Sequence, residues 1–226
     1  MGNGEAGGSR SGRISRDYVR LVTIRDFEIV ACSVPSAEAE ENGDHWGAVE
    51  APGGLAVVVA DGAGRAPGTA SQIAVSIILD NLAAGAKPLQ ALEVADRYLA
   101  QEDLLSTAVI CLLESNLATV VAAGDSEAWG ITAGVAGGQF LSHHQGRRRL
   151  GAEITPCEAI VVAIPGVLLL ASDGVTRCMS MVDACDVVQQ VRHRDSAAAV
   201  IEAIWRRYQD HHDDATAVVV RRAMNR

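Results

Sequence analysis

The sequence has fewer basic than acidic residues, no paired cysteine motif and no long apolar stretch, and each of these shortages excludes a class of function. Lys87 is the only lysine, and the formal net charge of the 226 residues is −9. A surface this acidic repels phosphate backbones and anionic lipids, so we expect no nucleic-acid partner and no membrane partner. The longest apolar stretch, residues 159–171, is interrupted by Pro165 and Gly166, whereas a membrane span needs roughly 18 or more apolar residues.

The cysteines also restrict the class of protein. They are five in number, and no two of them have C-x-x-C spacing. Most lie in apolar surroundings, which favours reduced, buried thiols and a cytoplasmic location. The first 17 residues are rich in Gly, Ser and Arg and lack the hydrophobic core of a secretion signal. We therefore predict a disordered tail over residues 1–17 and a single domain over residues 18–226.

The pattern of apolar residues predicts strands joined in consecutive hairpins, interrupted by two pairs of helices. The first pair of helices covers residues 67–83 and 88–101, and the second covers residues 181–192 and 195–209. Hairpin strands covered by helices indicate an α+β fold with mostly antiparallel sheets, rather than a doubly wound parallel sheet.

One stretch, VVVADGAGRAPGTAS over residues 57–71, allows two kinds of chemistry. An apolar strand leads into Asp61, then into three glycines and a helix, and a glycine loop of this kind can hold a nucleotide phosphate. However, the spacing G-x-G-x-x-x-G is one residue longer than the dinucleotide motif, and the carboxylate of Asp61 would repel a pyrophosphate. The stretch therefore favours the alternative, a metal site in which Asp61 is a ligand.

Further aspartates lie beside predicted strand ends. They are Asp44, Asp125, Asp173, Asp213 and Asp214. A single Asp-Gly pair is typically only a turn, but several carboxylates gathered in one place repel one another unless a cation neutralises them. Because every donor atom is an oxygen, Mg²⁺ or Mn²⁺ is a better fit than Zn²⁺. Two such ions can activate a water molecule and hold a phosphoryl group for in-line attack.

Five segments occur in order along the chain: NGDHW, VVVADGAGRAPGTAS, STAVICLLESNLATVVAAGDSEAW, VLLLASDGVTRCMS and DDATAVVV. In this order they resemble the metal-dependent serine/threonine protein phosphatases of the 2C type, over about residues 42–220. The resemblance implies a four-layer α-β-β-α sandwich with two or three Mn²⁺ or Mg²⁺ ions at one end. It also implies that no protein side chain is the nucleophile, because water activated by the metals attacks phosphoserine or phosphothreonine.

The resemblance also implies a set of metal ligands. These are Asp44, Asp61, the carbonyl of Gly62, Asp125, Asp173 and Asp213. In this set Asp61 bridges two ions, Asp173 and Asp213 hold the second ion, and Asp125 binds a third, weaker ion.

The chain departs from the family pattern where substrate phosphate is bound. Ala39 occupies the usual position of an arginine, and Glu127 follows the GDS motif where the family usually has another arginine. The residue that binds substrate phosphate is therefore unassigned. The loop of Arg147, Arg148 and Arg149 could supply it, since arginine suits a phosphate dianion, or could be an ordinary solvated loop.

The short length and the NGD, DGAG and DDAT segments are most similar to the small bacterial stress-response and sporulation phosphatases. Those enzymes act on phosphorylated regulators in partner-switching pathways that control sigma factors, so we expect a phosphorylated signalling protein as the substrate. Two alternatives stay open. The missing arginine favours a catalytically inactive signalling scaffold, and no feature of the sequence excludes a metal-dependent hydrolase of a small phosphate ester.

Overall fold

The strands and helices follow the order that the apolar pattern predicts, in a computed structural model that describes residues 15, 18–132, 138–142, 148–152, 159–208 and 213–223. The predicted tail lies outside the described residues, apart from Ser15. The strands are β1 (Val19–Ile24), β2 (Phe27–Val34), β3 (Asp44–Ala51), β4 (Gly54–Ala63), β5 (Leu105–Ser106), β6 (Ala108–Glu114), β7 (Leu117–Ala123), β8 (Glu127–Ile131), β9 (Gln139–Phe140), β10 (Ile160–Ala163), β11 (Val167–Ala171) and β12 (Ala215–Arg222). The helices are α1 (Pro67–Ala83), α2 (Pro88–Gln101), α3 (Asp173–Thr176), α4 (Met181–Gln190) and α5 (His193–Arg207).

Two antiparallel sheets form the centre of the molecule. The first has the strand order β1-β2-β12-β11-β8-β9, and the second has the order β10-β7-β6-β4-β3, with β5 paired to the end of β4. Helices α1 and α2 cover the outer face of the second sheet, and α4 and α5 cover the outer face of the first. This arrangement confirms the predicted α+β sandwich of four layers.

Strand β4 shows how these layers arise from the sequence. Leu55 and Val57 lie in the cluster between the two sheets, whereas Ala56 and Val58 lie in the cluster against α1 and α2. Because both faces of the strand are buried, its sequence is continuously apolar instead of alternating. Asp61 falls on the same face as Leu55 and Val57, so its side chain points toward the space between the sheets.

Antiparallel pairing brings several chain segments to one end of this sandwich. Asp44, the first residue of β3, lies directly opposite Asp61 near the end of β4. In the other sheet the end of β11 pairs with the start of β12, with Ala171 opposite Ala217. The segments that contain the remaining predicted ligands therefore meet at the same end.

Three local features differ from the predictions. Strand β4 does not end at Asp61 but continues to Ala63, because its last two residues pair with β5. Helices α4 and α5 are each about two residues shorter at their carboxyl ends than predicted, and α5 begins at His193. Helix α3 was not predicted from the sequence, because four residues are too few to show a helical period.

Gly62 is required by close packing rather than by an unusual backbone angle. A Cβ atom at this position would lie 1.8 Å from the carbonyl oxygen of Pro67, the first residue of α1. Glycine therefore lets α1 start directly beside the end of β4. Among the described residues, none of the helices is long and apolar enough to cross a membrane.

Candidate metal centre

Two carboxyl groups face each other across the hairpin of β3 and β4. Asp44 and Asp61 are register partners in this antiparallel pair, and both side chains are directed between the sheets. Like charges directly opposite each other destabilise a sheet, so this pair favours a compensating cation. The backbone around Asp61 is held firmly, because its N–H donates to the Thr107 hydroxyl at 3.0 Å and its carbonyl accepts from Thr107 N–H at 2.7 Å.

The Asp44 carboxylate is oriented by the other sheet. Ser172, which follows β11, donates its hydroxyl to Asp44 Oδ2 at 2.6 Å and accepts from the backbone N–H of Thr216 in β12 at 2.9 Å. Asp44 is 3% exposed, and within the described residues its other oxygen, Oδ1, is buried with no hydrogen-bond partner. A buried carboxylate oxygen without a donor is costly, so this atom is suited to a metal ion.

Asp125 and Asp173 complete a tight group with Asp61. One carboxylate oxygen from each of the three lies within 4.8 Å of the others. Asp125 is in the turn between β7 and β8, and Asp173 is the first residue of α3. Asp125 Oδ1 is a second buried oxygen without a hydrogen-bond partner in the described part of the chain. The structure thus brings together three aspartates that are far apart in the sequence.

Burial and mutual repulsion raise the pKa of these carboxyl groups. For Asp61, burial is the larger cause, and the negative charges of Asp44, Asp173, Asp213 and Asp125 add to it, so that the pKa rises to about 9. Burial likewise raises the pKa of Asp44 to about 7. Without a bound cation, the site therefore favours protonated carboxyl groups near neutral pH.

An arginine side chain lies in contact with this acidic group. The Arg177 Nη2 atom is 2.9 Å from Asp125 Oδ2 and 2.5 Å from Asp173 Oδ2, and Nη1 is 3.5 Å from Asp213 Oδ2. Arg177 follows α3 and is four residues after Asp173, so both side chains lie on the same face of the turn. Burial raises the pKa of Asp173 to about 6, and the guanidinium charge opposes that rise.

The two neighbouring aspartates before β12 have different contacts. Asp214 accepts hydrogen bonds from the backbone N–H of Ser36 at 2.7 Å and of Gly43 at 2.6 Å, one on each carboxylate oxygen. Asp213 faces Arg177 and acts on Asp61 electrostatically. Asp213 is therefore the member of the pair that contacts Arg177, whereas the charge of Asp214 acts on Asp44.

The donor set fits divalent magnesium or manganese. All candidate ligands offer oxygen atoms, carboxylates dominate, and two of the buried carboxylate oxygens have no other partner among the described residues. Hard cations of this type prefer such oxygen ligands, and their charge would remove the repulsion that raises the pKa values. The predicted ligand Gly62 lies beside Asp61 at the same strand end.

The sequence did not identify Arg177 or Ser172 as part of the site. Both lie in the quoted segment VLLLASDGVTRCMS, and only the i, i+4 spacing of Asp173 and Arg177 could have indicated the contact. Of the loop arginines, Arg148 and Arg149 are described, whereas Arg147 lies outside the described residues. Glu127, at the position of a family arginine, accepts a hydrogen bond from Trp129 Nε1 at 2.6 Å.

Comparison with known protein families gives a match over most of the chain. The family model described as Stage II sporulation protein E (SpoIIE) matches residues 51–223. No curated protein sequence matches the chain.

Several solved structures share the fold at low sequence identity. The serine/threonine phosphatase Stp1 from Staphylococcus aureus is 15% identical with a TM-score of 0.76, over 91% of this chain and 97% of that one. The Mycobacterium tuberculosis phosphatase PstP is 18% identical with a TM-score of 0.75, over 88% and 99%. A structure of the PstP catalytic domain in complex with two manganese ions is 19% identical, with a TM-score of 0.74 over 88% and 99%.

Proposed function

The chain belongs to the SpoIIE family of 2C-type phosphatases, which hydrolyse phosphate monoesters, and from this premise we propose that it is a Mn²⁺- or Mg²⁺-dependent serine/threonine protein phosphatase. The observation that carries the proposal is the group of Asp61, Asp125 and Asp173, whose oxygens lie within 4.8 Å of one another. Three carboxylates at this distance repel one another, and a bound divalent cation would relieve the repulsion that Arg177 offsets only in part.

We assign the metal ligands by position around Asp61. Asp44 and the carbonyl of Gly62 would hold one ion, Asp173 and Asp213 would hold a second ion, and Asp61 would bridge the two. When bound, two such ions activate water and neutralise charge on a phosphoryl group. The protein contributes orientation, since Ser172 fixes the rotation of the Asp44 carboxylate and so presents its unpartnered oxygen to the site.

Arg149 is our candidate for the contact with substrate phosphate. Leu150 exchanges two backbone hydrogen bonds with Ser106, which in turn pairs with Gly62, so this segment is tied to the edge of the site. The charge of Arg149 acts on Asp173, and its buried Nε has no hydrogen-bond partner among the described residues. A guanidinium beside the proposed metal ligands that has an N–H donor without a partner is suited to bind a phosphate dianion.

We propose that the substrate is a phosphorylated signalling protein in the cytoplasm, and that a partner-switching regulator of a sigma factor fits this role. The sporulation family model supports a regulatory substrate in general. The acidic surface, with a formal net charge of −9, would favour substrates whose phosphorylated segment has basic neighbours.

A catalytically inactive scaffold is the second candidate, and Arg177 is the observation that favours it. Its guanidinium already neutralises part of the negative charge of the centre. Against this, the buried Oδ1 of Asp44 has no partner among the described residues, Arg177 included. The complete set of aspartates therefore favours an enzyme.

The proposal is tested by a Mn²⁺ titration of the protein with a phosphoserine peptide as substrate. We expect release of phosphate that depends on Mn²⁺ and stops when the ion is removed with a chelator. Binding of Mn²⁺ without hydrolysis of the peptide would support the scaffold. Hydrolysis of p-nitrophenyl phosphate but not of phosphoserine or phosphothreonine peptides would support a small-ester hydrolase. Equal turnover with and without Mn²⁺ would refute the metal-dependent mechanism.

A further inference from the structure

The carboxylate of Asp125 is in contact with a cation supplied by the chain itself. Its Oδ2 lies 2.9 Å from Arg177 Nη2, which is both a hydrogen bond and an ion pair. The same nitrogen contacts Asp173, and the neighbouring nitrogen approaches Asp213. One guanidinium therefore lies between three carboxylates and occupies Oδ2 of Asp125, and its positive charge repels any divalent ion that would use the remaining oxygen, Oδ1.

The backbone keeps Arg177 in this place. Its N–H donates to the Asp173 carbonyl at 2.9 Å, which closes the turn of α3. Helix α3 itself packs tightly on the loop before β12, because a Cβ at Gly174 would lie 2.0 Å from the carbonyl oxygen of Asp214. The start of the Arg177 side chain is therefore fixed relative to Asp173 and Asp213, and the guanidinium has a short path to all three carboxylates.

The contact does not block the site permanently. The Arg177 side chain is 59% exposed, so water and salt screen its ion pairs, and the side chain can move out toward solvent. A divalent ion at Asp125 must then compete with a tethered cation that is always charged. The expected effect is a weakened site, not an abolished one.

We infer that Arg177 is a built-in counter-ion that takes the place of a third metal ion at Asp125, so that the centre works with two ions. This inference rests on the proposed function only in assuming that the remaining carboxylates bind Mn²⁺ or Mg²⁺. Under this inference Asp125 holds Arg177 in place of a third ion, and Arg177 neutralises part of the charge of the centre.

The test is to count bound Mn²⁺ ions by calorimetry and by electron paramagnetic resonance of the free ion. We expect two ions in the wild type. Arg177→Gln should gain a further site, or tighten a weak one by at least about tenfold, because the competing charge is gone. Arg177→Lys keeps a positive charge and should stay close to the wild type. Arg192→Gln removes a more exposed arginine from an ion pair with Asp195, which is not part of the centre, and should change nothing.

A double variant identifies the ligand of the gained site. Asp125→Asn placed on Arg177→Gln should return the count to two ions, because the gained site depends on the Asp125 carboxylate. Three ions in the wild type with unchanged affinity in Arg177→Gln would overturn the inference. So would a gained site that survives Asp125→Asn. These measurements need no turnover, so a lack of phosphatase activity would count against the proposed function alone.

The metal-free protein gives a second, independent readout. Removing Arg177 takes away the only contact with a cation that the structure shows, within its described residues, for the Asp125 carboxylate. Arg177→Gln should therefore unfold at a lower temperature than the wild type in chelator, and Mn²⁺ should narrow that difference. An equal or higher unfolding temperature in chelator would contradict the role of Arg177 as a counter-ion.

Discussion

Replacing Asp61 by Asn should make the metal-free protein more stable while removing its response to Mn²⁺. Burial and four neighbouring carboxylates raise the pKa of Asp61 from an ordinary value of 3.8 to about 9. A group whose pKa is higher in the folded protein favours folding fully only below its unfolded pKa, and this contribution is lost as the pH rises through the folded value. For Asp61 the loss therefore extends from about pH 4 to about pH 9.

The size of the effect follows from the same shift. One pH unit corresponds to about 1.4 kcal/mol, so between pH 5 and pH 8 the proton that Asp61 takes up on folding lowers the free energy of unfolding by at most about 4 kcal/mol. Asp61 is only partly buried and shares its shift with Asp44, so we expect about half of this, roughly 2 kcal/mol. For a chain of this length, that corresponds to about 4–8 °C in unfolding temperature.

The assay is thermal unfolding in chelator at several pH values, followed by the same series with Mn²⁺. The difference in unfolding temperature between Asp61→Asn and the wild type should increase from pH 5 to pH 8, in favour of the variant. Added Mn²⁺ at about 100 times its dissociation constant should stabilise the wild type by about 2.7 kcal/mol and the variant much less. Mn²⁺-dependent hydrolysis of p-nitrophenyl phosphate should be lost in the variant.

A matched control is Asp80→Asn, which removes an exposed carboxylate from α1, away from the centre. It should leave the pH dependence and the response to Mn²⁺ unchanged. The reasoning is refuted if Asp61→Asn lowers the free energy of unfolding at every pH. That result would mean that the Asp61 carboxylate stabilises the fold and is not repelled by its neighbours. Near-normal turnover in Asp61→Asn would refute its assignment as the bridging ligand.

Three further predictions concern other residues of the centre. Asp213→Ala should bind one Mn²⁺ ion fewer by calorimetry, and an unchanged count would exclude Asp213 as a ligand. Arg149→Ala should raise KM for a phosphopeptide by about tenfold with little change in kcat. The control Arg148→Ala, which removes the exposed neighbouring arginine, should leave KM unchanged. Equal KM values for the two variants would favour an ordinary solvated loop. In Asp214→Asn the side chain has one acceptor oxygen for the two backbone N–H groups, so the free energy of unfolding in urea should fall by about 1–2 kcal/mol and Mn²⁺ should bind more weakly. Wild-type stability and wild-type Mn²⁺ affinity would show that the bond from Gly43 to Asp214 does not position the site.

The convergence of the carboxylates could be predicted because it follows from strand order and antiparallel pairing. Asp61 and Asp173 adjoin apolar strands whose ends are visible in the sequence, and hairpins return alternate strand ends to the same side of a sheet. Contacts that depend on short elements could not be predicted. Arg177 reaches Asp125 only because β11 ends in one turn of helix, and a single turn leaves no periodic pattern in the sequence.

The difference between Asp213 and Asp214 shows why strand ends alone do not define a metal site. Both aspartates precede β12, and composition gives no reason to prefer either. Asp214 uses both oxygens to bind the backbone of residues 36 and 43, and this holds the loop that leads into Asp44. That loop also contains Asn42, whose side-chain oxygen accepts a hydrogen bond from the Asp44 N–H at 2.9 Å. Asp214 therefore acts on the centre by fixing the backbone next to Asp44, while Asp213 faces Arg177.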